Sequence, residues 1–185
     1  MGFKFDAWEG GHRVPFIARW PGKIPAGTVS DQLVSNIDLL ATIAALTDQE
    51  LEEDEGPDSY DIMPALTGET DEQIRDHLVL AAFRKSHLSL RDGDWMYIPA
   101  QSGGGFSSLK VGTHGFGGYP ALHFAGQTNS DMAHGRVKPD APQAQLYNLK
   151  VDPYQAANVI EQSPEIADRL KRRLVAIQAA KKTRP

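Results

Sequence analysis

The chain has 185 residues, 41% of them hydrophobic and 23% charged, and carries a formal net charge of -5. That balance suits one ordinary globular domain, or one domain with a small appendage, and disfavours disordered chains, fibrous chains and nucleic-acid-binding proteins. No apolar run approaches the roughly 20 residues of a membrane span, and the lack of cysteine excludes disulfides, thiolate metal sites and cysteine nucleophiles.

The first half of the chain predicts one strand and one helix. Apolar side chains alternate along residues 14–20, as they do in a half-buried strand. Residues 35–46 have helical spacing, and Ser35 followed by Asp38 three positions later is typical of a capping box. Asp38 is therefore interpreted as a residue of the helix start rather than as a ligand. The apolar face predicted for this helix consists of Ile37, Leu40, Ala41 and Ala44.

The second half predicts a small antiparallel sheet. Residues 77–83 and 86–98 are β-type runs, and the Asp-Gly pair at 92–93 indicates a hairpin turn. Residues 144–149 predict a further short strand. The segment 103–142 is rich in Gly, Ser, His and Pro and has no sustained period; loops of this length are usually functional or disordered.

A helix is predicted at the end of the chain. Ser163 is placed to cap it, and Pro164 takes the first helical position, where a missing backbone donor is tolerated. Its predicted apolar face consists of Ile166, Leu170, Leu174 and Ile177. The outline is therefore the last pieces of an α/β layer, followed by a small antiparallel sheet backed by a terminal helix.

Several short motifs follow one another along the chain. They are Gly2-Phe3-Lys4, Trp8-Glu9-Gly10-Gly11-His12-Arg13-Val14-Pro15, Trp20-Pro21-Gly22, Ser35 to Leu40, Pro57-Asp58-Ser59 with Leu66-Thr67-Gly68, Leu90 to Trp95, and Leu146 to Leu149 followed by Asp152-Pro153. In this order they resemble the carboxy-terminal portion of a sulfatase, of the arylsulfatase type within the alkaline-phosphatase-like superfamily. The match extends over nearly the whole chain.

The resemblance implies an α/β fold class and two parts. Residues 1–70 would be the last part of the large sulfatase domain, at the tail end of an alkaline-phosphatase-like α/β layer. Residues 71–185 would be a small carboxy-terminal subdomain, an antiparallel sheet packed on a carboxy-terminal helix. Within it, the resemblance and the residue pattern together give a Gly-rich loop at about 102–142 and a terminal helix at about 164–182.

The resemblance also implies a reaction. Sulfatases hydrolyse sulfate esters with a formylglycine, made from the Cys or Ser of a C/S-x-P-S/T-x-R motif, beside a calcium ion held mainly by Asp and Asn. The hydrated aldehyde attacks sulfur while basic groups hold the sulfate. Lys4 matches a family lysine that contacts the sulfate, so it is the one catalytic residue carried over.

Other parts of that machinery are expected to lie outside this chain. It contains neither cysteine nor a Ser-x-Pro-Ser/Thr-x-Arg sequence, and the family's metal-binding Asp-Asn pair would precede Met1. No metal ligand is therefore assigned, and calcium is expected in the complete enzyme but not on this chain alone. Met96 stands where the family often has a lysine, which puts the contact of that lysine in doubt.

Further residues have a functional or a structural interpretation. Arg84 and His87, with Lys85 between them, lie where the small subdomain of sulfatases can face the active-site mouth, so Arg84 and His87 are candidate substrate-binding residues. Glu9 and Arg13 are expected in a structural turn, with Arg13 paired to a carboxylate. The glycines of that turn, Gly10 and Gly11, would allow positive φ. A metal site is not expected at the scattered histidines His114, His123 and His134.

Two functions are compatible with these residues. The first is part of a sulfuric ester hydrolase acting on a sulfated small molecule or glycan. The second is a non-catalytic fragment that binds a sulfated glycan or a partner. Self-association through exposed strand edges is expected if Phe16, Ile17 and Trp20 are uncovered. The first residues lack a signal-peptide pattern, and the resemblance implies a periplasmic or secreted protein.

Overall fold

The computed structural model describes residues 1–105, 119–134 and 136–184. They form two compact units. One unit consists of Met1–Val14 and Val79–Leu174, and the other of Pro15–Leu78 and Val175–Pro185. The division at residue 70 concerns the domains of the sulfatase family and stays a prediction; the compact units divide the chain differently, because the first 14 residues pack with the later sheet.

Helices and strands are short except at the end of the chain. In chain order they are α1 (Glu9–His12), a 3-10 turn (Asn36–Asp38), α2 (Leu39–Leu46), α3 (Met63–Thr67), β1 (His77–Leu80), a 3-10 turn (Lys85–His87), β2 (Ser89–Asp92), β3 (Trp95–Ile98), α4 (Tyr119–Phe124), β4 (Met132–Ala133), β5 (Arg136–Val137), β6 (Gln145–Asn148) and α5 (Pro164–Ala180). In the described part of the chain, none of the helices combines the length and the hydrophobicity that a bilayer crossing requires.

The main sheet has four strands in the order β1-β2-β3-β6. Strands β2 and β3 form the predicted antiparallel hairpin, with Asp92 opposite Trp95. Gly93 has a φ of 54°, a left-handed conformation that a two-residue hairpin turn requires and that glycine adopts without a Cβ clash. The predicted strand at 144–149 is confirmed as β6, which pairs antiparallel with β3.

The core of the first unit lies on this sheet. It contains Met1, Ala7, Trp8, Met96, Ile98, Leu122, Tyr147 and Leu149. Trp8 is 1% exposed, so the amino-terminal motif is part of the core rather than a free end. Met96 is fully buried, so an apolar side chain suits this position, at which the sulfatase resemblance implied a lysine.

Helix α5 confirms the predicted terminal helix and its start at Pro164. Its buried residues are Ala167, Leu170 and Leu174, while Ile166 and Ile177 are half-buried. Arg169 and Arg173 donate to the Asp92 carboxylate at 3.2 and 2.8 Å, which attaches the helix to the hairpin. The predicted antiparallel sheet with a carboxy-terminal helix is thus confirmed, and the alkaline-phosphatase-like layer stays a prediction.

In the second unit, Asp38 is confirmed as a residue of the helix start. The Ser35 backbone N–H donates to Asp38 Oδ2 at 2.7 Å, and Ser35 and Asp38 form the capping box. The Tyr60 N–H donates to Asp38 Oδ1 at 3.1 Å, and Arg75 forms a fully buried ion pair with the same carboxylate. The Arg75 guanidinium also lies 4.3 Å from the centroid of the Tyr60 ring.

The apolar face predicted for helix α2 is partly wrong. Ala41 and Ala44 are buried as expected, but Ile37 and Leu40 are 45% and 49% exposed. Thr42 is buried instead, because its hydroxyl donates to the Asp38 carbonyl at 2.7 Å and accepts the Ile62 N–H at 3.0 Å. Helical spacing places the predicted side chains on one face, but it does not show the hydrogen bond between Thr42 and Ile62, which lies 20 positions further along the chain.

The strand predicted at residues 14–20 is wrong. This segment pairs with no other described part of the chain, and Val14 and Ile17 are 75% and 90% exposed. Alternation of apolar residues is a strand signal only where a neighbouring strand supplies hydrogen-bond partners. Self-association stays a prediction, and here it would use exposed apolar side chains rather than a strand edge.

Candidate functional site

The two glycines of the Trp-Glu-Gly-Gly motif lie in helix α1, where the backbone of the preceding turn is very close. A Cβ on Gly10 would lie 2.3 Å from the Gly2 carbonyl oxygen, and a Cβ on Gly11 would lie 2.0 Å from the Asp6 carbonyl oxygen. Neither glycine has a positive φ, so the expectation that these glycines allow positive φ is wrong. They are needed because the chain folds back on itself with no room for a side chain.

Three basic side chains lie near the Glu9 carboxylate in helix α1. Its buried carboxylate lies 3.4 Å from Arg13, 3.7 Å from Arg91 and 3.8 Å from His12. The expected pairing of Arg13 with a carboxylate is therefore confirmed. The Glu9 backbone N–H donates to Gln155 Oε1 at 2.7 Å. Both the backbone and the side chain of Glu9 therefore hold this short helix in place, next to the turn that precedes it.

Lys4 lies in that preceding turn and its side chain is exposed. The Asp6 backbone N–H donates to the Phe3 carbonyl at 2.9 Å, and the Phe3 N–H donates to the Asp6 side chain at 2.9 Å. Phe5 has a φ of 77°, a conformation uncommon for a residue other than glycine. The Lys4 ammonium lies 5.0 Å from the Phe5 ring centroid, within the range of a cation–π contact.

Backbone hydrogen bonds join the Lys4 turn to two other segments. The Phe83 N–H donates to the Phe5 carbonyl at 3.0 Å, and the Ala7 N–H donates to the Gly103 carbonyl at 2.6 Å. The Arg84 N–H donates to the Gly104 carbonyl at 3.0 Å. We call residues 3–7, 83–87 and 101–105 the loop junction. It joins the segment that contains Lys4 to the segment that contains Arg84, although the two residues are 80 positions apart in the chain.

His87 is buried inside the loop junction. Its Nε2 lies 2.7 Å from the Gln101 carbonyl oxygen, and its Nδ1 lies 3.0 Å from the Ser86 hydroxyl. Burial lowers the pKa of the imidazole because it disfavours the charged form. His87 thus packs under the glycine-rich loop, while Arg84 and Lys85 are exposed. The substrate contacts of His87 and Arg84 stay predictions.

A buried polar network supports the loop junction from the sheet. Gln145, on β6, accepts the Trp8 indole N–H at 2.9 Å and the Tyr147 hydroxyl at 2.7 Å. Its amide nitrogen donates to the carbonyls of Ala100 and Ser102 at 2.6 and 2.8 Å. One side chain therefore holds both the amino-terminal motif and the glycine-rich loop, a role that residue spacing gave no signal for.

Asp6 is the buried charge of the loop junction. It is 2% exposed, and its Oδ1 accepts the Gly105 N–H at 3.0 Å. Burial raises the pKa of the Asp6 carboxyl from 3.8 to about 6, because it disfavours the ionised form. The N–H groups of Phe3 and Gly105 and the amino group of Met1 lower the pKa and oppose this effect.

This pKa predicts how stability depends on pH. Because the folded-state pKa of Asp6 is raised, its contribution is fully present below pH 3.8 and is lost as pH rises through about 6. We expect the Asp6 contribution to the free energy of unfolding to fall by roughly 3 kcal/mol over that window. Unfolding in urea at several pH values measures it, and Asp6→Asn should remove that part of the slope while His12 and His87 titrate in both proteins.

The described residues do not fit a calcium site. No group of three or more His, Asp or Glu side chains among them is placed to hold a metal, and both Asp6 oxygens accept backbone N–H groups. His123 and His134 line a small cavity with Asn129. His114 lies outside the described residues.

Comparisons with known proteins agree with these motifs. The family model for sulfatases matches residues 2–49. The N-acetylgalactosamine-6-O-sulfatase of Bacteroides thetaiotaomicron is 31% identical over 177 residues, which cover 96% of this chain and 29% of that protein. Human steryl-sulfatase is 42% identical over 88 residues, 48% of this chain and 15% of that protein. The canine arylsulfatase G is 42% identical over 65 residues, 35% of this chain and 12% of that protein.

A solved sulfatase structure is similar over the same extent. It comes from a study of the metabolism of multiple glycosaminoglycans by Bacteroides thetaiotaomicron, and superposes with a TM-score of 0.69 at 28% identity. The superposition covers 96% of this chain and 32% of that one, so the chain spans less than a third of the length of either Bacteroides thetaiotaomicron protein. On its motifs, its relatives and its fold, the chain belongs to the sulfatase family.

Proposed function

We propose that this chain is part of a sulfuric ester hydrolase in which Lys4 holds the sulfate group of the substrate. The observation that carries the proposal is the loop junction. The Phe83 N–H donates to the Phe5 carbonyl at 3.0 Å, so the exposed side chains of Lys4 and Arg84 originate from two segments that are bonded to each other. Family membership supports sulfate as the anion.

The chemistry of these two cations suits a sulfate ester. A lysine ammonium is a compact charge with three donors, and an arginine guanidinium presents a planar fork that binds two oxygens of an oxyanion. Neither group has to be buried to meet a substrate, since both are exposed. Such cations offset the negative charge of the substrate and the charge that develops on the leaving oxygen in the transition state.

We propose that the nucleophile and the calcium ligands come from residues outside these 185. The sequence contains no cysteine and no Ser-x-Pro-Ser/Thr-x-Arg motif, which supports a formylglycine supplied from elsewhere in a longer protein. The described residues do not fit a calcium site, so no step is assigned to a metal here. A sulfated glycan is the proposed substrate class, supported by the relative named as an N-acetylgalactosamine-6-O-sulfatase, and the proposed location is periplasmic or secreted.

The test is to read the gene upstream of Met1 in the same frame and to express the longer protein. An open frame with a C/S-x-P-S/T-x-R motif and activity on an aryl sulfate would support the proposal. In that protein, Lys4→Ala should lower kcat/KM by about tenfold or more, because one charge-assisted hydrogen bond is lost.

The matched control is Lys23→Ala, an exposed lysine outside the loop junction, which should leave kcat/KM unchanged. Equal activities of the Lys4→Ala and unchanged proteins would contradict the role of Lys4. A closed upstream frame, with no separate chain that supplies the motif, would contradict the proposed reaction itself.

A second candidate function is a non-catalytic fragment that binds a sulfated glycan. The observation that favours it is the exposure of three cationic side chains in the loop junction, Lys4, Arg84 and Lys85, in a chain without a nucleophile motif. Saturable binding of chondroitin sulfate, with none of unsulfated hyaluronan, in calorimetry on the isolated chain would support this function. Sulfatase activity of the longer protein would decide for the first.

A further inference from the structure

We propose that Asp6 is a positioning residue that holds Lys4 at one place in the loop junction, so that the Lys4 ammonium and the Arg84 guanidinium can bind one sulfate together. The inference rests on the proposed function, since it assigns Lys4 to sulfate. It adds a residue that the family motifs did not point to and that touches no substrate itself.

The first support is that the two oxygens of the Asp6 carboxylate accept hydrogen bonds from two different segments of the chain. Oδ2 accepts the Phe3 N–H at 2.9 Å and so closes the turn that contains Lys4. Oδ1 accepts the Gly105 N–H at 3.0 Å, from a residue 99 positions away. A single buried side chain therefore both shapes the Lys4 turn and attaches it to the glycine-rich loop.

The second support is the lack of space around the carboxylate. A Cβ on Gly103 would lie 2.6 Å from Asp6 Cγ, and a Cβ on Gly105 would lie 2.3 Å from Asp6 Oδ1. Loop backbone thus packs directly against the carboxylate on the side where it accepts its hydrogen bond. Such close packing restricts movement of the Asp6 side chain toward the loop.

The third support is that an ionised carboxylate can accept both of these hydrogen bonds, whereas an asparagine cannot accept both in the same arrangement. Two backbone donors point at Asp6, and an ionised carboxylate is acceptor-only. An asparagine has one acceptor oxygen, and its NH₂ group would face a second N–H donor. Burial of a charge lowers the stability of the fold, and the buried charge of Asp6 lies where it holds the turn that contains the exposed Lys4.

The consequence concerns the lysine stem. A lysine has four flexible carbons between its backbone and its charge, so the volume searched by the ammonium depends on how firmly its backbone is held. The Asp6 N–H to Phe3 hydrogen bond of 2.9 Å and the side-chain bond to Phe3 hold the residues on both sides of Lys4. Loss of the carboxylate would release this turn from Gly105 and weaken binding of an anion by both cations.

The experiment measures the affinity of the 185-residue chain for inorganic sulfate, by chemical shift titration at pH 7.5 and constant ionic strength. It compares the unchanged chain with Asp6→Asn, Lys4→Ala and the double variant. The matched control is Asp152→Asn. Asp152 lies in the same compact unit and also accepts two backbone N–H groups, from Ala156 at 3.0 Å and Ala157 at 2.9 Å, but it lies outside the loop junction.

We expect Asp6→Asn to weaken sulfate binding roughly three- to tenfold and Asp152→Asn to leave it unchanged. In the Lys4→Ala background, Asp6→Asn should cause no further loss, because its effect passes through Lys4. The amide spectrum of each variant, recorded below its unfolding temperature, shows that it is folded. Should Asp6→Asn not fold, Gly105→Ala crowds the same oxygen from the loop side and should weaken binding in the same direction.

Two results would overturn this inference but not the proposed function. One is a sulfate affinity that is unchanged in Asp6→Asn but weakened in Lys4→Ala. The other is an Asp6→Asn substitution that weakens sulfate binding equally in the unchanged chain and in the Lys4→Ala background. A lack of sulfate binding by the unchanged chain would overturn the inference together with anion binding at this loop junction. The activity of the longer protein is measured separately, so the failure of the proposed reaction is distinguishable from both.

Discussion

Asp38→Ala is expected to destabilise the unit formed by residues 15–78 and 175–185 by about 3–5 kcal/mol, the usual cost of removing one partner of a buried ion pair. Asp38 and Arg75 are buried to 0% and 1% side-chain exposure. Without the carboxylate, the Arg75 guanidinium would retain its hydrogen bond of 3.0 Å to the Asp58 carbonyl but would remain charged and unneutralised in the interior.

The loss extends beyond the ion pair. The Asp38 carboxylate also accepts the N–H groups of Ser35 and Tyr60 at 2.7 and 3.1 Å, so alanine leaves two backbone donors without a partner. One of them closes the capping box at the start of the helical segment, and the other belongs to a residue 22 positions further along the chain. The substitution therefore removes a local hydrogen bond at the start of the helix and a long-range hydrogen bond to Tyr60 at the same time.

Urea unfolding of the chain at pH 7 measures the effect, with Asp54→Ala as the control because Asp54 is exposed and should change stability by about 0.5 kcal/mol or less. The double variant Asp38→Ala/Arg75→Met should recover part of the loss, since it removes the uncompensated charge as well. A midpoint for Asp38→Ala that equals that of the unchanged chain would show that the ion pair does not hold this unit together.

Gly11→Ala is expected to have the second large effect, a loss of about 3 kcal/mol or more, or loss of the folded amino-terminal segment. The new Cβ would lie 2.0 Å from the carbonyl oxygen of Asp6, 2.7 Å from its carbonyl carbon and 2.8 Å from its nitrogen. All three are backbone atoms, so no side-chain rotation can relieve the clash. The turn containing Lys4 would have to move away from helix α1.

The control for this prediction is Gly68→Ala. A Cβ on Gly68 meets nothing within 4 Å, and its only penalty comes from a φ of 76°, which costs about 1–2 kcal/mol for an L-residue. Thermal unfolding of the two variants and the unchanged chain, followed by far-ultraviolet circular dichroism, measures both losses. Equal stability of the two variants would mean that space at Gly11 is not limiting.

The family and the main candidate residues could be read from sequence motifs, but the supporting residues could not. Lys4 and Arg84 were named from the resemblance, and the structure places their segments together through the Phe83 to Phe5 hydrogen bond. Asp6 and Gln145 were missed. Their roles depend on Gly105 and on Trp8, which lie 99 and 137 positions away, and no local spacing contains that information.

His87 is another residue whose surroundings the local sequence did not reveal. The resemblance placed it where the small subdomain can face a substrate; in the structure His87 is 4% exposed and packs against Gly104, and its substrate contact stays a prediction. Charge in a short stretch of sequence does not report which of its side chains point outward. Its neighbours Arg84 and Lys85 are exposed.

The sequence by itself determined the elements whose signals lie within a few residues of each other. The Asp-Gly hairpin, the capping box at Ser35 and the helix that starts at Pro164 all depend on local φ, ψ preferences and short-range hydrogen bonds, which are the same in any tertiary context. Only the tertiary structure decided that residues 14–20 have no strand partner among the described residues, and that Asp6 joins Lys4 to the glycine-rich loop. Those outcomes depend on contacts between distant segments, whose energy comes from packing and desolvation in the folded chain rather than from any one stretch of it.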